Sequence, residues 1–405
     1  MTDFLTLDEF DFTNKTALVR VDFNSPLNID TKEITDDTRI RRHSETIKEL
    51  MDKKAKVVIL AHQGRLGGSN YSTLEKHAER LREILKRNVG YVDDVFGEKA
   101  KKAIRSLKPG DALVLNNVRG FPEETAKKTA EEHAKSELVT NLAPLADVYV
   151  GDGFAVAHRS QASVVGFSGV LPCVAGRIME RELKSLDKVR RGEDKPCVYV
   201  LGGAKAEDGA AVCEYVLGHG TADYVLAGGV IGHLFLHAKG IALGETTVDF
   251  LKRKNFLQYV PKIQELLTKY PSEIIMPVDF GVDAEGKREN IELQDLPSAH
   301  PILDIGLKTV EIFNQILEKA KIIVLSGPIG VYERNEFLLG TKGIFEKVAK
   351  SPAFSVTGGG NTIEALEKLG LTDNISYIST GGGALMEYLT GKTLPGIQAL
   401  TIKGD

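Results

Sequence analysis

Cysteine is scarce in this sequence: Cys173, Cys197 and Cys213 form an odd set, and none has C-x-x-C spacing. That argues against a disulfide framework and fits reduced thiols in a cytoplasmic protein. An excess of either charge is also missing, since 52 basic residues stand against 56 acidic ones and the formal net charge is -4. Such a balance gives no global attraction to nucleic acid or to an anionic membrane. The opening MTDFLTLDEFDF has neither a basic start nor an apolar run, so no secretory signal is expected. The window most like a membrane span, Tyr224 to Gly244, is broken by His233, His237, Lys239 and several glycines. It reads instead as a buried strand followed by a helix. Zinc-type His/Cys spacings and an H-E-x-x-H helix are absent as well.

What is present describes an ordinary globular α/β chain. Its 405 residues suggest two domains, and 42% hydrophobic with 27% charged residues is enough for substantial cores. Short apolar runs suited to buried parallel strands alternate with helical patterns. In the first half these are TALVRVDF, AKVVILAH, DALVLNNV and ADVYVGDG; in the second, PCVYVLGG, ADYVLAGG, EIIMPVDF, KIIVLSGP, AFSVTGGG and ISYISTGGG. The alternation predicts parallel sheets. Between the halves, Met179, Leu183, Leu186 and Val189 have helical spacing among charged residues, which predicts a linking helix. The acidic, lysine-rich stretch from Glu123 to Glu137 reads as an exposed helix.

The strand ends differ between the halves. In open parallel sheets ligands gather beyond the carboxyl ends of strands. The first half places Asp22, Asn24, His62, Arg65, Arg119, His158 and Arg159 there. With Arg20 and Arg39 nearby, convergent guanidiniums would suit a small multiply charged anion. His62 and His158 either hydrogen-bond that anion or are satisfied loop histidines. The second half places glycines at its strand ends: Gly202-Gly203, Gly228-Gly229, Gly327 and the triglycines Gly358–Gly360 and Gly381–Gly383. Each triglycine runs from a strand into a helix, where free N–H groups favour phosphate, and two such turns could surround one polyphosphate. Tight strand-to-helix packing is the alternative use of the same glycines. Neither named nucleotide fingerprint fits, since Met386 breaks the Walker spacing before Gly391-Lys392-Thr393 and Val156 breaks G-x-G-x-x-G after Gly151. The halves thus pair an anion site with a polyphosphate site, and phosphoryl transfer suits them because its catalysis is largely positioning. No nucleophile–base pair is evident, and none is needed if the acceptor is a carboxylate, ionised at neutral pH with a pKa of about 4.

Eight ordered motifs, VRVDFNSP, DDTRI, AHQGRLGG, GFAVAHRSQAS, LGGAKAED, SGPIGVYE, SVTGGGNT and ISTGGGALMEYLTGKTLPGI, together resemble the phosphoglycerate kinase family from about residue 16 to 397. The resemblance implies two doubly wound, Rossmann-like α/β domains: a 3-phosphoglycerate domain (1–174), a hinge helix (175–191), a nucleotide domain (192–388) and a segment (389–405) returning to the first domain. It implies reversible phosphoryl transfer between ATP and the carboxylate of 3-phosphoglycerate, giving ADP and 1,3-bisphosphoglycerate, with Mg²⁺ carried by the nucleotide. Nucleic acid and membranes are not expected partners. By resemblance, Asp22, Asn24, Arg39, His62, Gln63, Gly64, Arg65, Arg119 and Arg159 hold the phosphoglycerate. Gly203, Ala204, Lys205, Gly306, Glu333, Gly358, Gly359, Gly360, Asn361 and Thr362 hold the nucleotide, with Glu333 on the ribose. Arg39, Lys205, Gly359 and Gly382 are the implied catalytic positions. The chain departs from the family pattern at Gly209 (often Lys), Asn361 (usually Asp, associated with the metal), Ser326 (usually Asn), Leu307 (usually Pro) and Gly120 (usually Phe). The protein ligand of the metal is therefore unassigned. A binding protein that has lost turnover through the changes at 209 and 361 is the alternative.

Overall fold

Val, Ile and Leu runs with both faces buried build the central strands, as parallel sheets covered on two sides require. The computed structural model describes residues 4–204 and 206–401. The chain divides into two compact units, one holding residues up to Lys184 with those from Thr393 onward, the other Ser185–Lys392.

In the first unit, β1 (Leu5–Thr6), β2 (Thr16–Arg20), β3 (Lys56–Leu60), β4 (Val89–Val92), β5 (Ala112–Leu115), β6 (Val148–Gly151) and β7 (Cys173–Ala175) form a parallel sheet. Their order is β1-β7-β6-β2-β3-β5-β4. The chain leaves β2 towards β3 on one side and later fills β6 on the other. The carboxyl ends of these three strands therefore border the point where strand order reverses, the usual place for a ligand crevice. The closing segment belongs to this unit: Gly396 N–H donates to the Ala157 carbonyl at 2.8 Å, and an antiparallel bridge joins Phe4 to Thr401.

In the second unit, β8 (Cys197–Leu201), β9 (Tyr224–Ala227) and β10 (Ile274–Ile275) lie on one side of a six-stranded parallel sheet. A three-stranded antiparallel sheet follows, made of β11 (Asp279–Ala284), β12 (Lys287–Glu292) and β13 (Ile302–Ile305). Then β14 (Ile322–Ser326), β15 (Phe354–Thr357) and β16 (Tyr377–Ile378) complete the larger sheet, in the order β10-β9-β8-β14-β15-β16. Its reversal falls at β8, between β9 and β14.

The parallel strands lie where the apolar runs place them, and the window from Tyr224 is indeed a strand and a helix, Gly229–Ala238. EIIMPVDF divides: Pro277 offers no N–H, β10 stops before it, and β11 starts two residues later in the other sheet. The linking helix spans Arg177–Arg191 and buries Met179, Leu183, Leu186 and Val189. Its first turn is held within the first unit. The Arg177 guanidinium bonds the carboxylates of Asp8, Glu49 and Glu180, and Ile178 N–H donates to Asp152 Oδ1 at 2.9 Å.

The exposed helix expected over Glu123–Glu137 is not formed. That stretch holds a 3-10 turn at Pro122–Thr125 and a four-residue helix at Ala130–His133. Glu124 is fully buried because both its oxygens accept from Ser163, the backbone N–H at 2.9 Å and the hydroxyl at 2.7 Å. All three cysteines are free, and burial pushes the Cys197 and Cys213 thiols up to about 12, far from reactivity at neutral pH. Among the described residues no helix is long and apolar enough to cross a membrane.

Candidate active site

In the first unit the predicted residues converge around Asp22, just beyond β2. This carboxylate is buried; its Oδ2 accepts from Arg39, its Oδ1 accepts Asn24 N–H at 3.1 Å, and His62 Nδ1 lies 3.9 Å away. Burial would raise the Asp22 carboxyl, but the Arg39 charge foremost, with the hydrogen bond from Asn24 N–H, outweighs it and holds it below its ordinary value. Arg39 rises from the helix Thr38–Asp52 and keeps 42% of its side chain exposed, so it can serve Asp22 and a ligand alike. Buried Arg20 donates through Nε to Ser163 Oγ at 2.7 Å and faces His62 Nδ1 at 3.3 Å.

Arg119 carries the clearest sign of an absent partner. Its Nη1 donates to the Gly64 carbonyl at 2.5 Å, while its buried Nε has no partner among the described residues. Burial, with the charges of Arg159 and Arg20, lowers this guanidinium to about 10, so it remains charged at neutral pH. Arg159 is lowered by burial too, against the pull of Asp22, and Arg65 and Arg20 add to the shift. Mutually repelling cations with an unused buried donor are a high-energy arrangement without an anion.

Gln63 is the exception in this cluster. It is wholly buried: Oε1 accepts Ser25 N–H at 2.9 Å and meets His77 Nε2 at 3.1 Å, while Nε2 donates to the carbonyls of Ser25 and Asn70. Both donors and both lone pairs are used, so Gln63 braces the loop rather than offering a ligand bond. Asn24 braces it too, its Oδ1 accepting Gly64 N–H at 2.8 Å. Arg65 is exposed, and Arg159 Nε donates to His158 Nε2 at 3.1 Å.

In the second unit the glycine turns meet. Gly202 N–H donates to the Ser326 carbonyl and Gly203 N–H to that of Pro328, each at 2.7 Å, locking β8 to β14. Thr362 Oγ1 accepts Gly327 N–H at 2.9 Å. The two triglycines touch directly: a β-carbon on Gly382 would lie 2.7 Å from Gly359 Cα and 3.0 Å from Gly359 N. Gly359 itself sits at φ +94, where an L side chain is strained. The helices Gly360–Lys368 and Gly382–Leu389 thus start beside one another, and a cavity of about 250 Å³ is lined by Gly203, Gly327, Gly358–Gly360, Asn361 and Gly382. A second cavity of about 370 Å³ shares Gly203, Ala204, Pro328 and Asn361 with it; Glu333 also lines it, and its wall is largely apolar. Lys368 Nζ donates to the Tyr332 carbonyl at 2.8 Å, fixing the Glu333 loop to the helix that begins at Gly360.

Two predicted nucleotide residues stand outside this picture. Gly306 lines neither cavity; it precedes the helix Leu307–Leu317, whose first N–H groups are already taken by Asp279 (Lys308 N to Oδ2, 2.9 Å; Thr309 N to Oδ1, 2.8 Å). Lys205 lies outside the described residues.

Comparison with known proteins finds matches over nearly the whole chain. The phosphoglycerate kinase family model matches residues 7–392. The chain belongs to the phosphoglycerate kinase family. It is 44% identical to the phosphoglycerate kinase of Methanothermus fervidus over 400 residues, covering 99% of this chain and 97% of that protein. It is 45% identical to that of Pyrococcus furiosus over 400 residues, covering 98% and 97%. The crystal structure of phosphoglycerate kinase from Pyrococcus horikoshii aligns with a TM-score of 0.89 at 44% identity, covering 98% of both chains. That from Coxiella burnetii aligns at 0.85 and 31% identity, covering 98% and 99%. The two-domain phosphoglycerate kinase fold and kinase function follow, with ATP/ADP and phosphoglycerate as the substrates that membership implies.

Several departures from the phosphoglycerate kinase pattern have local explanations. Where a lysine is common, a β-carbon on Gly209 would meet Ile231 Cδ1 at 2.6 Å, so Ile231 fills that space. Gly120 leaves room for the Tyr71 hydroxyl, 2.8 Å from where a β-carbon would sit. Leu307 is 68% exposed at the first helical position, where proline is merely favoured. Nothing in the structure explains Ser326.

For a phosphoglycerate kinase, the state of His62 has a kinetic consequence. Burial, reinforced by the charges of Arg20, Arg119 and Arg159 and opposed by Asp22, puts this imidazole well below its ordinary value. It is therefore neutral at physiological pH and contributes no titration there. Profiles of kcat/KM for 3-phosphoglycerate should keep the same shape in His62→Gln, since any inflection near pH 6 belongs to the substrate phosphate, whose second pKa is about 6. An inflection present in the parent and lost in the variant would contradict this.

Proposed function

We propose that the arginine cluster of the first unit binds 3-phosphoglycerate and that the glycine turns of the second bind ATP or ADP, with phosphoryl transfer running directly between them. The unpartnered, buried Arg119 Nε among repelling guanidiniums carries this reading for the first unit. In the second, the N-termini of two touching helices take the phosphates, Glu333 takes the ribose, and the apolar cavity takes the base. Direct transfer requires the two ligands to meet, and we assign Arg177–Arg191 the role of hinge.

The chemistry asks little of side chains as acids or bases. A carboxylate oxygen of phosphoglycerate attacks the γ-phosphorus, and the bond to the β-phosphate oxygen breaks. ADP leaves with that electron pair, and no proton changes hands. Arg39 turns from Asp22 to the acceptor carboxylate and the moving phosphoryl group, and the helix starts at Gly360 and Gly382 oppose its growing charge. Lys205 receives its role beside the phosphates from family resemblance alone. The described residues contain no group of three His, Cys, Asp or Glu that could hold a metal. Mg²⁺ fits here as an ion carried by the nucleotide, with at most the Asn361 amide oxygen as a protein ligand, and it would supply charge neutralisation at the phosphates. A cytoplasmic location, without nucleic acid or membrane as partner, accords with the charge balance and the reduced cysteines.

The test is a coupled spectrophotometric assay with 3-phosphoglycerate, ATP and Mg²⁺, run beside Arg119→Ala. Turnover dependent on both substrates is expected, with KM for phosphoglycerate rising about tenfold or more in the variant, the cost of a lost charged hydrogen bond. Binding of both ligands without turnover at any Mg²⁺ or Mn²⁺ concentration would instead mark a binding protein disabled by the changes at Gly209 and Asn361.

A further inference from the structure

The helix Thr38–Asp52 meets Asp22 twice. Arg39, in its first turn, bonds the Asp22 carboxylate, and His43, one turn further on the same face, meets the Asp22 backbone N–H with Nε2 at 3.2 Å. A backbone N–H can only donate, so Nε2 is the acceptor and the ring proton sits on Nδ1. That nitrogen donates to Asp152 Oδ2 at 2.6 Å, and both side chains are sealed from solvent, at 3% and 0% exposure. The other Asp152 oxygen accepts Ile178 N–H at 2.9 Å, in the first turn of the helix Arg177–Arg191. Gly176 permits this approach, since a β-carbon there would collide with Asp152 Oδ1. Asp22, His43, Asp152 and Ile178 thus form one hydrogen-bonded chain inside the first unit.

Two bonds from one helix to one residue allow a division of labour. When Arg39 turns to the acceptor and the moving phosphoryl group, the Asp22 carboxylate gives up its guanidinium. The bond to His43 survives that movement, because it holds the main chain and not the carboxylate. Its ring cannot turn without breaking a charge-assisted bond to Asp152. Packing alone does not call for this pair, since an aliphatic side chain at 43 would spare the interior a carboxylate and an imidazole.

We propose that His43 is a positioning residue of the phosphoglycerate site: oriented by Asp152, it fixes the Asp22 main chain so that the carboxylate keeps its place when Arg39 leaves it. His43 touches no reacting atom. The proposal rests on the phosphoglycerate reading of the first unit, and it can fail separately.

The two ring nitrogens can be removed one at a time. A glutamine amide reaches the place of Nε2 and can still accept from Asp22 N–H, whereas an asparagine amide reaches the place of Nδ1 and can still donate to Asp152. Calorimetric binding of 3-phosphoglycerate and of ADP, with denaturation midpoints, compares the parent with His43→Gln and His43→Asn. His43→Gln abandons the bond to the buried carboxylate, the stronger of the two, and should be the less stable variant. It should nevertheless bind 3-phosphoglycerate within about threefold of the parent, while His43→Asn binds it about tenfold more weakly, the value of one hydrogen bond. ADP affinity should be unchanged in both. A histidine that serves only the fold would make binding follow stability, so weaker binding in His43→Gln than in His43→Asn overturns the proposal. Equal affinities in the two variants, or a parallel loss for ADP, overturn it as well. One measurement needs no variant: hydrogen exchange at the Asp22 amide should be no faster with 3-phosphoglycerate bound than without, and acceleration on binding would show the His43 bond released. If the parent itself does not bind 3-phosphoglycerate, the reading of the site fails first.

Discussion

Gly382→Ala should lower kcat about a hundredfold while Gly383→Ala, one residue on, leaves stability nearly unchanged. The difference is a matter of space. A β-carbon at 382 would lie 2.7 Å from the backbone of Gly359, whereas one at 383 meets nothing within 4 Å. Backbone cannot swing aside as a side chain can, so the two turns must separate by a sizeable fraction of an ångström. Overpacking of this kind costs about 1–3 kcal/mol. The larger effect is catalytic, because displacing a group by about 1 Å from the reacting atoms can cost about a hundredfold in rate. At 383 the added methyl joins a helix, where alanine is preferred to glycine, and the change in stability should stay within about 1 kcal/mol. Denaturation midpoints for both variants, with kcat for Gly382→Ala, test the contrast. Parent-like turnover in Gly382→Ala would show that the contact between the turns is irrelevant to transfer.

Arg39→Ala should lose about a hundredfold to a thousandfold in kcat, comparable to deleting a charge-stabilising donor from a preorganised site. Because the side chain is 42% exposed, its pairing with Asp22 alone cannot account for such a loss; the expected cost lies at the moving phosphoryl group. Arg39→Lys should fall between, keeping the charge but not the planar fork. Turnover within twofold of the parent would remove Arg39 from catalysis. A second signature concerns stability. Although burial pushes Asp22 upward, the charges around it, Arg39 first, leave it depressed in the fold. A depressed carboxyl stabilises the protein above its unfolded pKa of about 4, and that contribution is lost as pH falls through the folded value. The variant should therefore be less stable than the parent at neutral pH, and the gap should close on acidification below about pH 4.

How much of this could be read beforehand depended on whether a residue's partner was near it in sequence or could be inferred from pattern. Strands buried on both faces announce themselves as apolar runs, so β2, β3, β5, β8 and β14 were legible. By contrast β12, KRENIE, is polar and partly exposed, and its hairpin turns on Glu285-Gly286, both at positive φ (53 and 88). That pair departs from the usual Asn-Gly or Asp-Gly signal of such turns. Glu124 was misread because the Ser163 that neutralises its burial lies 39 residues away. Gln63 and Gly306 were assigned to ligands from the resemblance, yet the structure shows one amide spent on the protein and one helix start already capped. The arginine cluster was legible as types at strand ends, but the unused Arg119 Nε was not, since satisfaction is a property of three-dimensional neighbours.

The packing of Gly209 against Ile231 makes the two positions interdependent. A side chain at 209 cannot be introduced alone without crowding, because its β-carbon would fall 2.6 Å from an isoleucine tip that is itself 4% exposed. Shortening Ile231 alone, with glycine still at 209, opens a void instead. Each single change should therefore cost stability that the double change recovers, so the pair responds to substitution as one unit.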